Sequence, residues 1–348
     1  MRRALLAAAL CVACGTLTSP GEGDRDLPVG RGGPFRLLGP ADLDGRTCVV
    51  SDRSSRLDDP SVARAGDGSV RLYFTVDDGA ARSISTARLD GPTGPAGEPT
   101  ASLRATLPWH EGSVEAPEVI RTAAGEWWML YASAGGIGLA RSADGVSFTA
   151  DPEPLLRADA TTGESTPARS PAVVESAPGR FLVAYESAGA VWGAELVAAT
   201  GAVSRLDGDP GVDGRQPLLA PSDDAVDAGV VGFASGSVGD PSLTLESTAI
   251  GRSLWRLYAT TRSAPVRSDA GVAPLLTLGV AGSFDGLRFS RDANPTLRAR
   301  SDGTVTSPDV LADGARRTWL YAGGRCDSAG RVRGIVVAVA PGNASVTP

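Results

Sequence analysis

Apolar positions in this chain come in short bursts. Runs of about five to seven residues, rich in Val, Leu, Tyr and Trp, are bounded by Gly, Asp or Ser, the mark of strands separated by turns. Beyond the N-terminus no window of about 12 residues keeps a clean 3.6-residue period, so helix is a minor component. A proline-centred cassette orders the bursts and recurs five times: Asp59-Pro60-Ser61-Val62, Ala116-Pro117-Glu118-Val119, Ser170-Pro171-Ala172-Val173, Asp240-Pro241-Ser242-Leu243 and Ser307-Pro308-Asp309-Val310. After each cassette comes an aromatic and aliphatic run (70–76, 127–133, 181–187, 255–261 and 318–323) holding one of the chain's five tyrosines: Tyr73, Tyr131, Tyr185, Tyr258 or Tyr321. A third run follows each time, at 83–89, 137–141, 191–197, 276–281 and 335–340. A repeat of several short strands at this period predicts an all-β, five-bladed β-propeller.

Turn chemistry supports the division. Gly66-Asp67-Gly68, Ala124-Gly125, Pro178-Gly179 and Asp313-Gly314 fall between first and second strands, where Gly supplies a positive φ. Third and fourth strands are joined by Ser142-Ala143-Asp144-Gly145 in repeat two and Ser283-Phe284-Asp285-Gly286 in repeat four, with Phe148 and Phe289 placed to pack between blades. The cassette prolines are expected at the first residue of a strand, where a missing N–H removes no ladder bond.

With 348 residues, 44 Gly, 25 Pro and 42% hydrophobic content, the chain is long enough for one large core. Its net charge of −7, with no lysine and no basic stripe, argues against a nucleic-acid partner. The N-terminus reads as an address. Arg2-Arg3 precede an apolar stretch, residues 4–13, too short for the roughly 20 residues that span a bilayer. It ends in Cys11-Val12-Ala13-Cys14-Gly15, which resembles the lipobox of bacterial lipoproteins and implies lipidation at Cys14; an ordinary secretory signal is the alternative. The expected organisation is a signal at 1–14, a Gly/Pro-rich tether at 15–45, a propeller at 46–342 and a tail at 343–348. The body is then held at the cell envelope by a lipid anchor alone, in the periplasm or at the cell surface. Cys48 and Cys326 remain in the mature chain. They lie where an N-terminal strand would complete the last blade, so a disulfide between them would lock the ring in an oxidising compartment; two buried thiols are the alternative.

The cassettes also carry the candidate chemistry. Through blade count and cassette positions over about residues 46–341, the chain resembles the five-bladed propeller glycosidases of glycoside hydrolase families 43 and 32. The resemblance implies a catalytic base or nucleophile at Asp59, before the proline of blade one. It implies a supporting carboxylate at Glu118, after Ala116-Pro117, and a transition-state contact near Arg169-Ser170-Pro171. The acid of those families stands two residues before the blade-four proline, where this chain has Gly239. Glycoside cleavage needs two carboxyl groups. Asp240, one position off, Glu115, at the matching offset in blade two, and Glu186 and Glu246, deeper in blades three and four, are the remaining candidates.

Trp109-His110, entering blade two, offers an aromatic plate and the only histidine beside the pocket. Asp59, Glu118, Arg169, Asp240 and Asp309 are expected to gather at one end of the channel, with Trp109 and His110 on its rim and a neutral oligosaccharide or polysaccharide as the fitting ligand. No metal, cofactor or Ser-His-Asp site is indicated. Three functions stay open: a carbohydrate-interacting propeller with an incomplete catalytic set, an active glycosidase with Asp59 as base, and an inert scaffold.

Overall fold

A computed structural model describes residues 33–221, 237–247, 251–268, 271–291, 297–298, 305–313, 317–327 and 331–341. The signal segment with Cys14, most of the expected tether and the tail at 343–348 lie outside the described residues.

Five antiparallel sheets follow one another in chain order. Their inner strands are Arg56–Arg64, Glu115–Arg121, Arg169–Ala177, Ser237–Ser247 and Thr306–Asp313. Each pairs with the strand carrying that blade's tyrosine: Val70–Asp77, Trp127–Ser133, Arg180–Ser187, Ser253–Ser268 and Arg317–Arg325. The third strands are Arg82–Leu89, Gly136–Ser142, Ala190–Val197, Gly271–Ser283 and Arg333–Pro341. The fold is a five-bladed β-propeller.

Alternation along each second strand sends neighbouring side chains to opposite faces of the blade, and each face packs on the next blade. Trp127 joins a core with Tyr73 and Phe148 between blades one and two, while Trp128 stacks on Phe181 between blades two and three at 4.8 Å. All five tyrosines are fully buried. Their hydroxyls reach beyond their own sheets: Tyr73 donates to the Gly145 carbonyl at 2.7 Å, Tyr185 to Glu164 at 2.8 Å and Tyr321 to the Pro92 carbonyl at 2.8 Å, and Tyr131 meets His110 Nε2 at 2.9 Å. The two Ser-x-Asp-Gly turns are copies of one another. Ser142 and Ser283 accept the Gly145 and Gly286 amides, each at 3.0 Å, and the positive φ of each glycine lets the turn lie on a tryptophan ring, Trp127 or Trp255.

The sequence places the cassette prolines at the first residue of a strand; in the structure they lie inside the strands instead. Each inner strand slips register across the cassette, between Asp58 and Ser61, Glu115 and Glu118, Arg169 and Ala172, Gly239 and Ser242, and Thr306 and Asp309. The residue before each proline takes a left-handed φ: 48° at Asp59, 48° at Ala116, 45° at Ser170, 46° at Asp240 and 48° at Ser307. A bulge leaves these residues out of the ladder, so the missing proline N–H is not needed there. Each non-glycine residue so held costs on the order of 1–3 kcal/mol. Repeated five times around one axis, the bulge aims five side chains at one point.

Ring closure uses the N-terminal segment. Val50–Ser51 pairs with Ile335 and Gly334, and Arg36–Leu37 with Val339 and Ala338, on the outer face of blade five. Cys48 and Cys326 form a disulfide, with Cα atoms 5.4 Å apart. The expected tether is too long at its C-terminal end. Phe35 is buried between blades four and five, and Leu38 and Leu43 against blades five and one, so this stretch of apolar residues belongs to the body.

Candidate functional site

At the axis the five bulges surround a polar cavity of about 330 Å³ that narrows to a channel of about 20 Å³. Three tiers of side chains follow from the cassette. The upper wall is built by the residue two before each proline: Asp58, Glu115, Arg169, Gly239 and Thr306. The constriction carries the left-handed residues Asp59, Ala116, Ser170, Asp240 and Ser307. Beneath lie the residues after each proline: Ser61, Glu118, Ala172, Ser242 and Asp309.

The lowest tier is stitching. The Val62 amide donates to Asp309 at 2.6 Å, the Val119 amide to Ser61 at 2.9 Å, the Val173 amide to Glu118 at 3.4 Å, and Ser242 Oγ to Asp309 at 2.9 Å. Each bond ties one blade to its neighbour. Glu118 and Asp309 therefore do not share the cavity wall with Asp59: passing the proline turns them to the blade seams, with Glu118 reaching only the channel below. Both are buried, and burial pushes both carboxyls up, Asp309 to about 6 and Glu118 well above its ordinary value, with Asp309 adding repulsion to Glu118.

A carboxyl raised in the folded state holds a proton that the unfolded chain gives up above a pH of about 4. Its contribution is complete below that pH and is lost as pH rises through the folded value. The protein is therefore expected to lose stability as pH rises from about 4 through about 6, where Asp309 ionises, and further as Glu118 does. Glu118→Gln keeps an oxygen for the Val173 amide and removes the charge, so its melting temperature should exceed wild type at pH 8 and match it near pH 4. Equal melting curves at both pH values would contradict this role.

Arginines neutralise most of the upper wall. Asp58 is held by Arg56 at 2.7 Å, Arg333 at 3.0 Å and Thr306 Oγ1 at 3.0 Å. Arg82 bridges Asp77, at 3.2 Å, and Glu115. Arg169 stands 3.8 Å from Glu186, which it opposes across the first two strands of blade three. Asp59 and Asp240 differ: among the described residues, neither pairs with a cation. Asp59 accepts from Ser307 Oγ at 2.7 Å, and Asp240 from Ser170 Oγ at 3.1 Å. Both are half-buried at the cavity floor. Burial, the adjacent Asp58 charge and Asp240 raise Asp59 to about 7, and burial with Asp58 raises Asp240.

Four of the sequence candidates meet in this cavity: Asp59, Asp240, Glu115 and Arg169. Glu186, expected deeper in its blade, lines it too. Glu246 instead lies by Arg256, 3.6 Å away in blade four, outside the cavity. Trp109 and His110 do not stand at the rim. A 3-10 turn, Pro108–His110, folds them onto blade two, where Trp109 stacks on Tyr131 at 5.8 Å. His110 is fully buried. Its Nδ1 accepts the Thr106 and Leu107 amides and its Nε2 meets Tyr131 Oη at 2.9 Å, so both ring nitrogens are engaged, and burial lowers its pKa. Residues the sequence reading missed are Asp58, Arg82, Arg333 and the donors Ser170 and Ser307. The serines had a signal: they occupy the same cassette position as Asp59 and Asp240.

No protein-family model and no curated protein sequence matches the chain. Among solved structures it is similar to one from glycoside hydrolase family 130, described as mannoside phosphorylases that include hydrolases of β-1,2 mannosidic linkages in Candida mannan. That match has 16% identity and a TM-score of 0.63, and covers 93% of this chain and 98% of the other. A thermostable family-43 glycoside hydrolase gives 16% identity and a TM-score of 0.57, over 84% of this chain and 96% of that one. An α-L-arabinofuranosidase from Lactobacillus brevis gives 15% identity and a TM-score of 0.52, over 85% and 96%. At these identities the likeness is one of fold.

Proposed function

We propose that this propeller binds a neutral oligosaccharide in the axial cavity and acts on its glycosidic bond with Asp59. The observation that carries the reading is Asp59 itself: a half-buried carboxyl that lines both the cavity and its constriction, without a cation partner among the described residues, held by the Ser307 hydroxyl of the neighbouring blade. A carboxyl kept near neutrality is what proton transfer at a sugar requires. The remaining charges of the wall, largely paired off as salt bridges, offer hydroxyls both acceptors and donors while the acidic surplus disfavours anionic ligands. The similar solved structures, glycoside hydrolases in name, support a carbohydrate ligand by analogy of fold. Glycan binding without turnover is the second reading, and Gly239, where the resembled families have their acid, favours it.

A hydrolysis screen on arabinan, xylan, levan, mannan and aryl glycosides, run beside a glycan array, tests both. Turnover supports the enzyme and binding alone supports the second reading. Neither activity from folded protein rejects both. The N-terminal segment belongs to the same proposal: Cys14 carries a lipid and holds the propeller at the bacterial envelope. Cys14→Ser is expected to move the protein from the membrane to the soluble fraction; unchanged membrane retention would reject the anchor.

A further inference from the structure

The cavity holds five carboxylates besides Asp59, and the geometry points to Asp240 as the group that protonates the leaving oxygen, completing a pair with Asp59. This assignment rests on the glycosidase reading above.

Asp58, Asp77, Glu115 and Glu186 each face an arginine, which stabilises the ionised form and leaves no reason to hold a proton. Among the described residues Asp240 faces none. Its surroundings then repeat those of Asp59 feature by feature. Both precede a cassette proline and take the same left-handed φ, 46° and 48°. Each accepts a hydroxyl from the serine at the same position in the preceding blade: Ser170 for Asp240 and Ser307 for Asp59. Each backbone amide donates to an arginine-paired carboxylate, Asp240 to Glu186 at 3.3 Å and Asp59 to Asp58 at 3.2 Å. Each of those carboxylates is parked in a niche left by a glycine. A Cβ on Gly239 would lie 2.2 Å from Glu186 Oε2, and one on Gly323 would lie 1.7 Å from Asp58 Oδ1.

Two stations of this build, on blades one and four, are the only cassette positions with a carboxyl at the constriction; blades two, three and five have Ala116, Ser170 and Ser307 there. The missing side chain at Gly239 thus acquires a reason. Any residue with a side chain there would expel Glu186 from the Asp240 amide, so the position keeps Glu186 as a positioning residue and leaves proton donation to Asp240. In the step itself, the Asp240 proton passes to the glycosidic oxygen as its bond to the anomeric carbon breaks. A water oxygen bonds to that carbon and gives its proton to Asp59. One water is consumed and the proton count of the pair is unchanged.

The test is leaving-group dependence, measured on wild type, Asp240→Asn and Asp59→Asn with one oligosaccharide and the matching 2,4-dinitrophenyl glycoside. A poor leaving group needs the acid and dinitrophenolate does not. Asp240→Asn is expected to lose about 10²–10⁴-fold in kcat/KM on the oligosaccharide, with the loss at least tenfold smaller on the aryl glycoside. Asp59→Asn should lose comparably on both. If Asp240→Asn does not fold, Gly239→Ala, which forces Glu186 off the amide, should show the same selectivity to a smaller degree. An Asp240→Asn loss that is equal on both substrates, or a selective loss in Asp59→Asn, overturns the assignment while leaving the enzyme reading intact. A wild type inactive on both overturns the two together.

Discussion

Asp59→Asn is expected to reduce glycoside turnover by roughly 10²–10⁴-fold in a protein that melts no lower than wild type at pH 8. The amide oxygen still accepts the Ser307 hydroxyl, so the constriction keeps its shape. What disappears is the charge that burial and Asp58 already oppose, and its removal relieves the fold above the folded pKa of about 7. Activity of the wild type should also rise with pH through about 7, where Asp59 ionises and becomes able to accept a proton. A pH–rate profile that stays flat to pH 9, or a variant that retains full turnover, would remove Asp59 from the chemistry.

Loss of the ring closure should have the largest effect on stability. Cys48 and Cys326 are 278 residues apart, so their bond closes nearly the whole ring, and the chain-entropy model places its worth at up to about 5 kcal/mol. Replacing both cysteines by serine is expected to lower the melting temperature by roughly 5–15 °C. The consequence reaches the cavity. The Cys326 amide donates to the Val332 carbonyl at 2.9 Å, and the next residue, Arg333, holds Asp58 beside Asp59. The same variant should therefore bind ligand more weakly even at temperatures where it is folded. Differential scanning calorimetry with non-reducing mass spectrometry checks the first effect; an unchanged melting temperature in a protein with the bond absent would contradict it.

Much of this was legible in the residues. Five cassettes and five tyrosines marked the blades because each blade solves the same packing problem, and one buried tyrosine per interface is a regular answer to it. Cys48 and Cys326 were legible because a ring must close. The tiers at the axis were not. Whether a residue next to proline faces the cavity or the seam depends on a bulge and a left-handed φ, and a non-glycine residue in that conformation carries no sequence mark. Glu118 and Asp309 were therefore placed one tier too high. Glu186 was expected too deep in its blade for another reason: its place in the cavity is defined by the absent side chain of Gly239 in the neighbouring blade. Trp109 and His110 suggested a rim because aromatic and polar groups adjoin in a loop, yet the Tyr131 ring and two free amides hold them more strongly than solvent does. Residues 33–45 resembled a tether in composition, while blades four and five bury Phe35 and blades five and one bury Leu38 and Leu43.

Asp59 and Asp240 are expected to face one glycosidic bond across the axial cavity. A crystal structure of the Asp59→Asn variant soaked with an oligosaccharide that the wild type turns over tests it most directly. The expected result is a sugar ring seated between the Ala116 and Asp240 sides of the cavity, with the glycosidic oxygen within about 3 Å of the Asp240 carboxyl and the anomeric carbon facing residue 59. A sugar bound on the outer faces of the blades, with the axial cavity filled only by solvent, would contradict it.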